Sequence, residues 1–240
     1  MGRAKDIVVK PISAASANKV VRALHYSGKV VPNSQVHLGV FLDGKCGGAM
    51  QLGPSMRKDL IAPLVSGTGW NEFIELNRMA FADWLPRNSE SRCIGYAMRW
   101  LKRRYQHLKW VVSFADGTQC GDGAIYRASG FVLTGIKKNN GMRINPRTGE
   151  VVQNMTAFHR CITDFHKWKP LPGYQFRYLY FLDPSAFQRL TVPVIPFSEI
   201  GARGAEMYKG EKITRPKHCV DAPDDQSGEG GSTPTRTLQT

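Results

Sequence analysis

Four residues stand where this sequence could do chemistry: His25, Tyr26, Asp116 and Tyr126. His25-Tyr26 closes an apolar-periodic segment just before Ser27-Gly28, which places it at a helix end facing a loop. Asp116 follows the nearly all-apolar run Trp110-Val111-Val112-Ser113-Phe114. Such a run reads as a buried strand, and open α/β sheets bind ligands at the carboxyl ends of their strands. A carboxylate there can act as a base toward an aryl amine. It can equally serve an Asx turn, because Asp116-Gly117 is ordinary turn chemistry. Tyr126 lies on the short helical stretch Gly123–Ser129, either as a proton donor or as a core tyrosine with a backbone partner. Ser113 faces away from Phe114 and can donate to either side. His25, Tyr26, Asp116 and Tyr126 together also offer nitrogen and oxygen ligands to a hard transition metal. No H-x-x-x-H or H-x-D spacing accompanies them.

A second group of residues suits anions. The helix opening at Asn88-Ser89-Glu90-Ser91-Arg92 presents free N–H groups and a positive dipole end, so Ser89, Ser91 and Arg92 form a phosphate seat. Arg78 ends an otherwise apolar strand; it either pairs with Glu75 or Asp83 or faces an anionic donor. The chain carries 33 Lys and Arg against 19 Asp and Glu, a formal +14. Residues 220–240 hold four acidic residues and one Arg, so the remainder is +17. That surplus predicts attraction to a polyanion. Arg99, Lys102 and Arg103 lie off the apolar stripe of their helix, and Lys137 and Lys138 occupy a polar stretch. Lys167-Trp168-Lys169 and Arg177-Tyr178 interleave cations with aromatic rings, as surfaces that stack unpaired bases do. Trp70, Trp84 and Trp168 are candidate wedges or stacking platforms, and each also suits a core.

The elements that must position these residues read clearly. Residues 6–12 form a strand, and Ser13 caps a helix carrying Ala17, Val20, Val21 and Leu24 on one face. Val36, Leu38, Val40 and Leu42 alternate as in a strand, Asp43-Gly44 is a hairpin signal, and Cys46 to Leu52 is its partner. Phe73–Met79, Trp110–Phe114, Phe131–Lys137 and Gln175–Leu182 are further strands, with helices after Asn88 and over Gly123–Ser129. The expected fold is an α/β or α+β arrangement: a twisted mixed sheet with helices on both faces. Residues 1–185 would form the main domain, 186–219 an extension packed on it, and 220–240 a disordered tail. Five widely spaced cysteines without a C-x-x-C pair predict free thiols. With neither a long apolar run nor a signal-peptide core at the N-terminus, a soluble, intracellular protein without a membrane partner is expected.

The element order resembles the GNAT acyltransferase superfamily. Leu24-His25-Tyr26-Ser27-Gly28, Glu75-Leu76-Asn77-Arg78, Asn88-Ser89-Glu90-Ser91, Ser113-Phe114-Ala115-Asp116-Gly117 and Gly123-Ala124-Ile125-Tyr126 are more specific. Together they resemble the Mom-like family of phage DNA-modification proteins over roughly residues 6–185. The resemblance implies conversion of DNA adenine to an N6-carbamoylmethyl form that shields phage DNA from restriction, in the cytoplasm of the infected host. It implies a double-stranded DNA partner with a flipped adenine, since N6 is otherwise paired and stacked. It gives Tyr126 the position of the GNAT tyrosine that protonates the leaving group, Asp116 the role of base, and Arg78, Ser89, Ser91 and Arg92 the donor seat. Iron at His25, Tyr26, Asp116 and Tyr126 is implied only by this resemblance. Arg92-Cys93-Ile94-Gly95-Tyr96-Ala97 matches the GNAT letters R-x-x-G-x-A, but inside an amphipathic helix and beside Glu90. Because GNAT folds move acyl groups whereas carbamoylmethyl is an alkyl substituent, glycyl transfer to N6 followed by rearrangement reconciles the two. The donor is then glycyl-tRNA, a glycyl thioester or an acyl-CoA, with tRNA a further polyanionic partner. A small-amine acetyltransferase and a non-catalytic nucleic-acid-binding protein on the same fold are the alternatives. Oligomeric state stays open, a dimer included.

Overall fold

The computed structural model describes residues 2–208 and 211–212. The proposed tail over 220–240 and Cys219 lie outside them. Ahead of the first strand, residues 3–6 make a single 3-10 turn, so strand β1 is shorter than the sequence pattern suggests, Val8–Pro11. Ser13 then accepts a hydrogen bond from the Ser16 amide and opens α1 (Ala14–Leu24), which buries Ala17 and Val21. β2 (Val36–Leu42) and β3 (Lys45–Gly53) pair through a tight turn. Asp43 (φ 51°) and Gly44 (φ 76°) are both left-handed there, as a type I′ turn demands. The following connection contains the short α2 (Lys58–Ile61), whose Ile61 joins Leu64 and Val65 in a satellite core.

β4 (Phe73–Phe81), α3 (Ser89–Arg104), β5 (Trp110–Asp116), α4 (Ala124–Arg127) and β6 (Val132–Asn139) follow. Between β6 and the last long strand the chain builds a feature absent from the sequence reading. β7 (Met142–Ile144), β8 (Val151–Gln153) and β9 (Lys169–Pro170) make a separate three-stranded sheet carrying α5 (Asn154–His159). Its own small core consists of Val152, Ala157, Phe165 and Trp168. β10 (Gly173–Phe181) returns to the main sheet, followed by α6 (Pro184–Gln188), α7 (Ser198–Ala202) and the short pair β11 (Met207–Tyr208) and β12 (Glu211–Lys212).

The main sheet has the order β1-β2-β3-β4-β5-β10-β6. All neighbours are antiparallel except β4 and β5. The expected mixed sheet with helices on both faces is therefore present. One face packs Val111, Ala115, Ile74 and Leu76 against Cys93, Ile94, Ala97, Met98 and Leu101 of α3. The other face packs Phe73, Trp110 and Val112 against the 61–65 segment and α6, with α1 lying over β3 and β4.

The parallel pair is short. Only Phe73, Ile74 and Glu75 register with Trp110, Val111 and Val112, although both strands continue. Asn77 is skipped between the pairs Gln51↔Arg78 and Leu52↔Leu76, a bulge that bends β4 away from β5. The centre of the sheet thus opens as a fork after Glu75 and Val112.

Candidate active site

Strand alternation distributes the chemistry around this fork. Ser113 and Asp116 are three residues apart on β5 and point to opposite faces. On the α3–α4 face, the fully buried Ser113 Oγ lies 2.9 Å from Tyr126 Oη and 3.3 Å from the Leu76 carbonyl, within hydrogen-bond reach of both. Tyr126 is held further by stacking on Tyr178, with ring centroids 5.1 Å apart. Tyr178 in turn donates a short hydrogen bond to the Asp122 carbonyl. Gly123 makes this packing possible: at φ 90° it starts α4 so close to Tyr178 that a Cβ would lie 2.8 Å from its Cζ. Burial pushes the Tyr126 phenol up to about 12, partly offset by the Ser113 hydrogen bond, so it is a protonated donor at neutral pH.

On the α1 face, the helix end brings His25 and Tyr26 to Arg78. Arg78 forms no salt bridge with Glu75 or Asp83, the partners its sequence position suggested. Its guanidinium instead donates to the Lys29 carbonyl at 2.9 Å and the Asn77 carbonyl at 2.7 Å. These bonds fix it across the bulge. Burial and the Arg78 charge lower His25 to about 4, so its ring is neutral. The Ser27 amide donates to His25 Nδ1 at 3.1 Å, leaving the ring proton on Nε2. Tyr26 is half exposed at the mouth and stacks against His25 with centroids 4.2 Å apart. Desolvation, then Asp116 and Cys120, raise its phenol, while Arg78 opposes them and Tyr126 contributes from the far side.

Asp116 adopts the Asx-turn arrangement that its Asp-Gly sequence suggested. Its Oδ1 accepts from the Thr118 amide and the Thr118 hydroxyl, and its charge helps to raise the Tyr26 phenol. Two neighbours escaped the sequence reading as site residues. Glu75 lies on the α1 face with its carboxyl raised by desolvation, against hydrogen bonds from Ser55 and Asn77. An acid inside the apolar run Phe73–Met79 was the available signal. Cys120 had none, since only the turn after β5 carries it to Asp116. Its thiol is pushed up to about 11 by desolvation and the nearby carboxylates, so it is not a thiolate.

The donor seat is only partly assembled. A cavity of about 440 Å³ at the N-terminus of α3 is lined by Phe81, Pro86, Ser89, Ser91, Ile125 and Ala128, among others. Ser89 and Ser91 are there, but their hydroxyls donate to the Pro86 and Asn88 carbonyls. Arg92 turns away and donates to the Lys5 carbonyl at 3.1 Å. Arg78 belongs to the opposite face. The letters from Arg92 to Ala97 lie within α3, with Cys93, Ile94 and Ala97 buried in the core, so they form no phosphate loop. The cavity's charged lining is Asp83, Glu90 and Arg87, with Glu90 raised by desolvation and by Asp83.

Of the set the resemblance offers to iron, His25, Tyr26 and Asp116 share the α1 face, while Tyr126 lies on the other. His25 Nδ1 and Asp116 Oδ1 are engaged by Ser27 and Thr118. Among the described residues no three His, Cys, Asp or Glu gather to hold a metal ion. The basic candidates divide as well. Arg99, Lys102 and Arg103 are exposed on α3, but Lys102 and Arg103 sit in its last turn, toward the start of β5 and away from Asp116. Lys137 and Lys138 are exposed near the mouth, where Lys137 pairs with Gln175 and Gln175 with Asp116. Lys167 and Lys169 are exposed on the inserted sheet, whereas Trp168 is buried against Phe165 and offers no ring for stacking. Trp70 and Trp84 are exposed, each beneath a lysine, Lys58 and Lys45 respectively.

A model of the Mom protein family matches residues 6–199. The chain belongs to the Mom protein family. Every residue of the fork lies within the matched span. A curated Mom-family relative, methylcarbamoylase mom of Escherichia phage Mu, is 39% identical over 132 residues. That alignment covers 55% of this chain and 54% of the relative, so the chain spans about half the length of the curated relative it matches. Among solved structures, the Mom-family chain aligns with an IAA acetyltransferase from Bacillus cereus over 73% of its length and 99% of the other chain. The identity there is 12% and the TM-score 0.44. A GNAT family acetyltransferase from Elizabethkingia anophelis with acetyl-CoA bound aligns over 73% and 98%, at 13% identity and a TM-score of 0.44. Among the described residues of this Mom-family member, no helix is long and apolar enough to cross a membrane.

Proposed function

We propose that this chain is a transferase that converts adenine in double-stranded DNA to N6-carbamoylmethyladenine, protecting phage DNA from restriction in the host cytoplasm. Residues 1–185 supply the machinery. The observation that carries this reading is the two-sided fork, with Tyr126 protonated on one face and Asp116, Arg78 and Tyr26 on the other. Such a site lets an acyl donor enter along the α3–α4 cavity while an extruded adenine enters from the α1 face. The methylcarbamoylase name of the phage Mu relative supports the same product.

N6 attacks the carbonyl of a glycyl ester or thioester, Asp116 takes an N6 proton, and Tyr126 protonates the departing oxygen or sulfur. Ser113, donating into Tyr126 Oη, keeps the tyrosine's own proton directed at the leaving group. The N6-glycyl amine then attacks C6 through a five-membered ring. Breaking the original C6–N6 bond leaves C6–NH–CH2–CO–NH2, an isomerisation that needs no further reactant. Asp83 and Glu90 support an aminoacyl donor over an acyl-CoA. Glu90 in the first turn of α3 and Asp83 in the loop before it, against the single cation Arg87, oppose a pyrophosphate and suit the glycyl ammonium. Mass spectrometry of nucleosides from DNA of cells expressing the protein tests the reading. Carbamoylmethyladenine should be present with the wild type and absent with Asp116→Ala. Nitrogen-15 placed at N6 should emerge in the terminal carboxamide. Label retained on the ring-attached nitrogen would exclude the rearrangement.

A further inference from the structure

The inserted sheet between β6 and β10 has no role in the chemistry above, yet its base is fixed beside it. Gly173, the first residue of β10, registers with Asn139, the last of β6. Two positions along β10, Gln175 registers with Asp116. Thr118, which holds the Asp116 carboxylate, packs so closely on Gly173 that any Cβ there would collide with it. The insertion therefore rises from the same end of the sheet as the fork mouth. Trp70, by contrast, precedes Phe73 at the far end of β4.

Two properties of the insertion point outward. Its core uses Ala157, and this leaves Met155 and Phe158 of α5, three residues apart and so on one helical face, 59% and 76% exposed. The Phe158 ring faces solvent, with the neighbouring His159 ring edge-on to it at 5.8 Å between centroids. Around it, residues 137–170 carry seven Lys and Arg against Glu150 and Asp164. Arg160 pairs with Glu150, and Arg143 is committed to the Trp168 carbonyl. Lys137, Lys138, Arg147, Lys167 and Lys169 remain exposed, without a salt bridge among the described residues. An apolar tip set among exposed cations suits the phosphate-lined groove of a DNA duplex with a base step to pry open.

We propose that the 140–172 insertion grips the target duplex and that Phe158, supported by Met155, is the wedge that fills the space left by the extruded adenine. The proposal rests on DNA as the substrate, as argued above. Its test uses 30-base-pair duplexes that differ at one position, where an adenine stands opposite thymine or opposite an abasic site. Extrusion costs less from the abasic context, so a wedge protein binds it more tightly. The wild type should prefer the abasic duplex about tenfold. Phe158→Ala should shrink that preference below about twofold while binding the matched duplex within about threefold of wild type, since the phosphate contacts persist. Phe158→Leu, which retains an apolar tip, should recover most of the preference, and all variants should melt alike because the side chain is exposed. A Phe158→Ala protein that keeps the tenfold preference, or a wild type without any preference, would overturn the wedge. Nucleoside mass spectrometry separates this from the proposed activity. Unmodified DNA from cells expressing the wild type refutes the transferase reading, whatever the duplex preference. Wild-type modification with an unaltered Phe158→Ala preference refutes the wedge alone.

Discussion

Removing one oxygen from Tyr126 separates its two duties, packing and proton transfer. Tyr126→Phe keeps the ring on Tyr178 and Phe131 and loses only the hydroxyl beside Ser113. Ser113 is not orphaned, because the Leu76 carbonyl remains 3.3 Å away. The stability cost is then that of one ordinary hydrogen bond, about 1 kcal/mol, or roughly 2–4 °C in Tm for a domain this size. The chemical cost is far larger. Loss of a positioned general acid slows a step by about 10²–10⁴-fold, equivalent to roughly 3–5 kcal/mol of barrier. Ser113→Ala reverses the ranking. It strands the buried Tyr126 hydroxyl at about 1–3 kcal/mol but leaves the proton donor in place, so it should destabilise more and slow the reaction less. Early-time accumulation of modified adenine, measured by nucleoside mass spectrometry alongside thermal melting, gives both readings. If Tyr126→Phe modified DNA at more than about half the wild-type rate, or if Ser113→Ala were the slower of the two, Tyr126 would not be the acid.

Two further outcomes follow from the same geometry. His25 titrates at about 4 in the fold against 6.5 without it, so its contribution to stability is complete above pH 6.5 and is lost as the pH falls toward 4. That contribution is at most about 3 kcal/mol, less with partial exposure. The wild type minus His25→Gln difference in denaturant stability isolates it from Glu75, whose raised carboxyl acts with the opposite sign; a flat difference from pH 7 to 4 would contradict the burial of a neutral imidazole. Gly123→Ala must place a side chain at φ 90° and against Tyr178, costing more than about 1 kcal/mol. It should lower Tm and, by shifting α4 and Tyr126, depress modification; an unchanged melting curve would show that α4 can move freely.

Local chemistry made much of this protein legible. Ser13 capping α1, the left-handed Asp43-Gly44 pair, and the apolar run at Trp110–Phe114 each specify their own conformation through neighbours in sequence, and each is found as read. The same holds for placing His25-Tyr26 and Asp116 at the ends of elements and Tyr126 on a short helix. Sequence could not say that β4 and β5 pair for three residues and then part, because strand register is settled by packing against the rest of the sheet. That parting puts Ser113 and Asp116 on two faces of one opening. It also decides that Arg78 spans a bulge to backbone carbonyls and that Arg92, one letter of a matching motif, turns to the N-terminal segment. The insertion was hidden for a related reason. Its strands are two or three residues long, too short for a periodic signal, and they exist only because Val152, Ala157, Phe165 and Trp168 find one another across a loop. Tryptophan 168 reads as a nucleic-acid contact by composition and is core by packing, whereas Phe158 carries no signal in sequence and is left exposed by the fold. Residue type fixes what a side chain can do; only the long-range contacts decide which face it does it on.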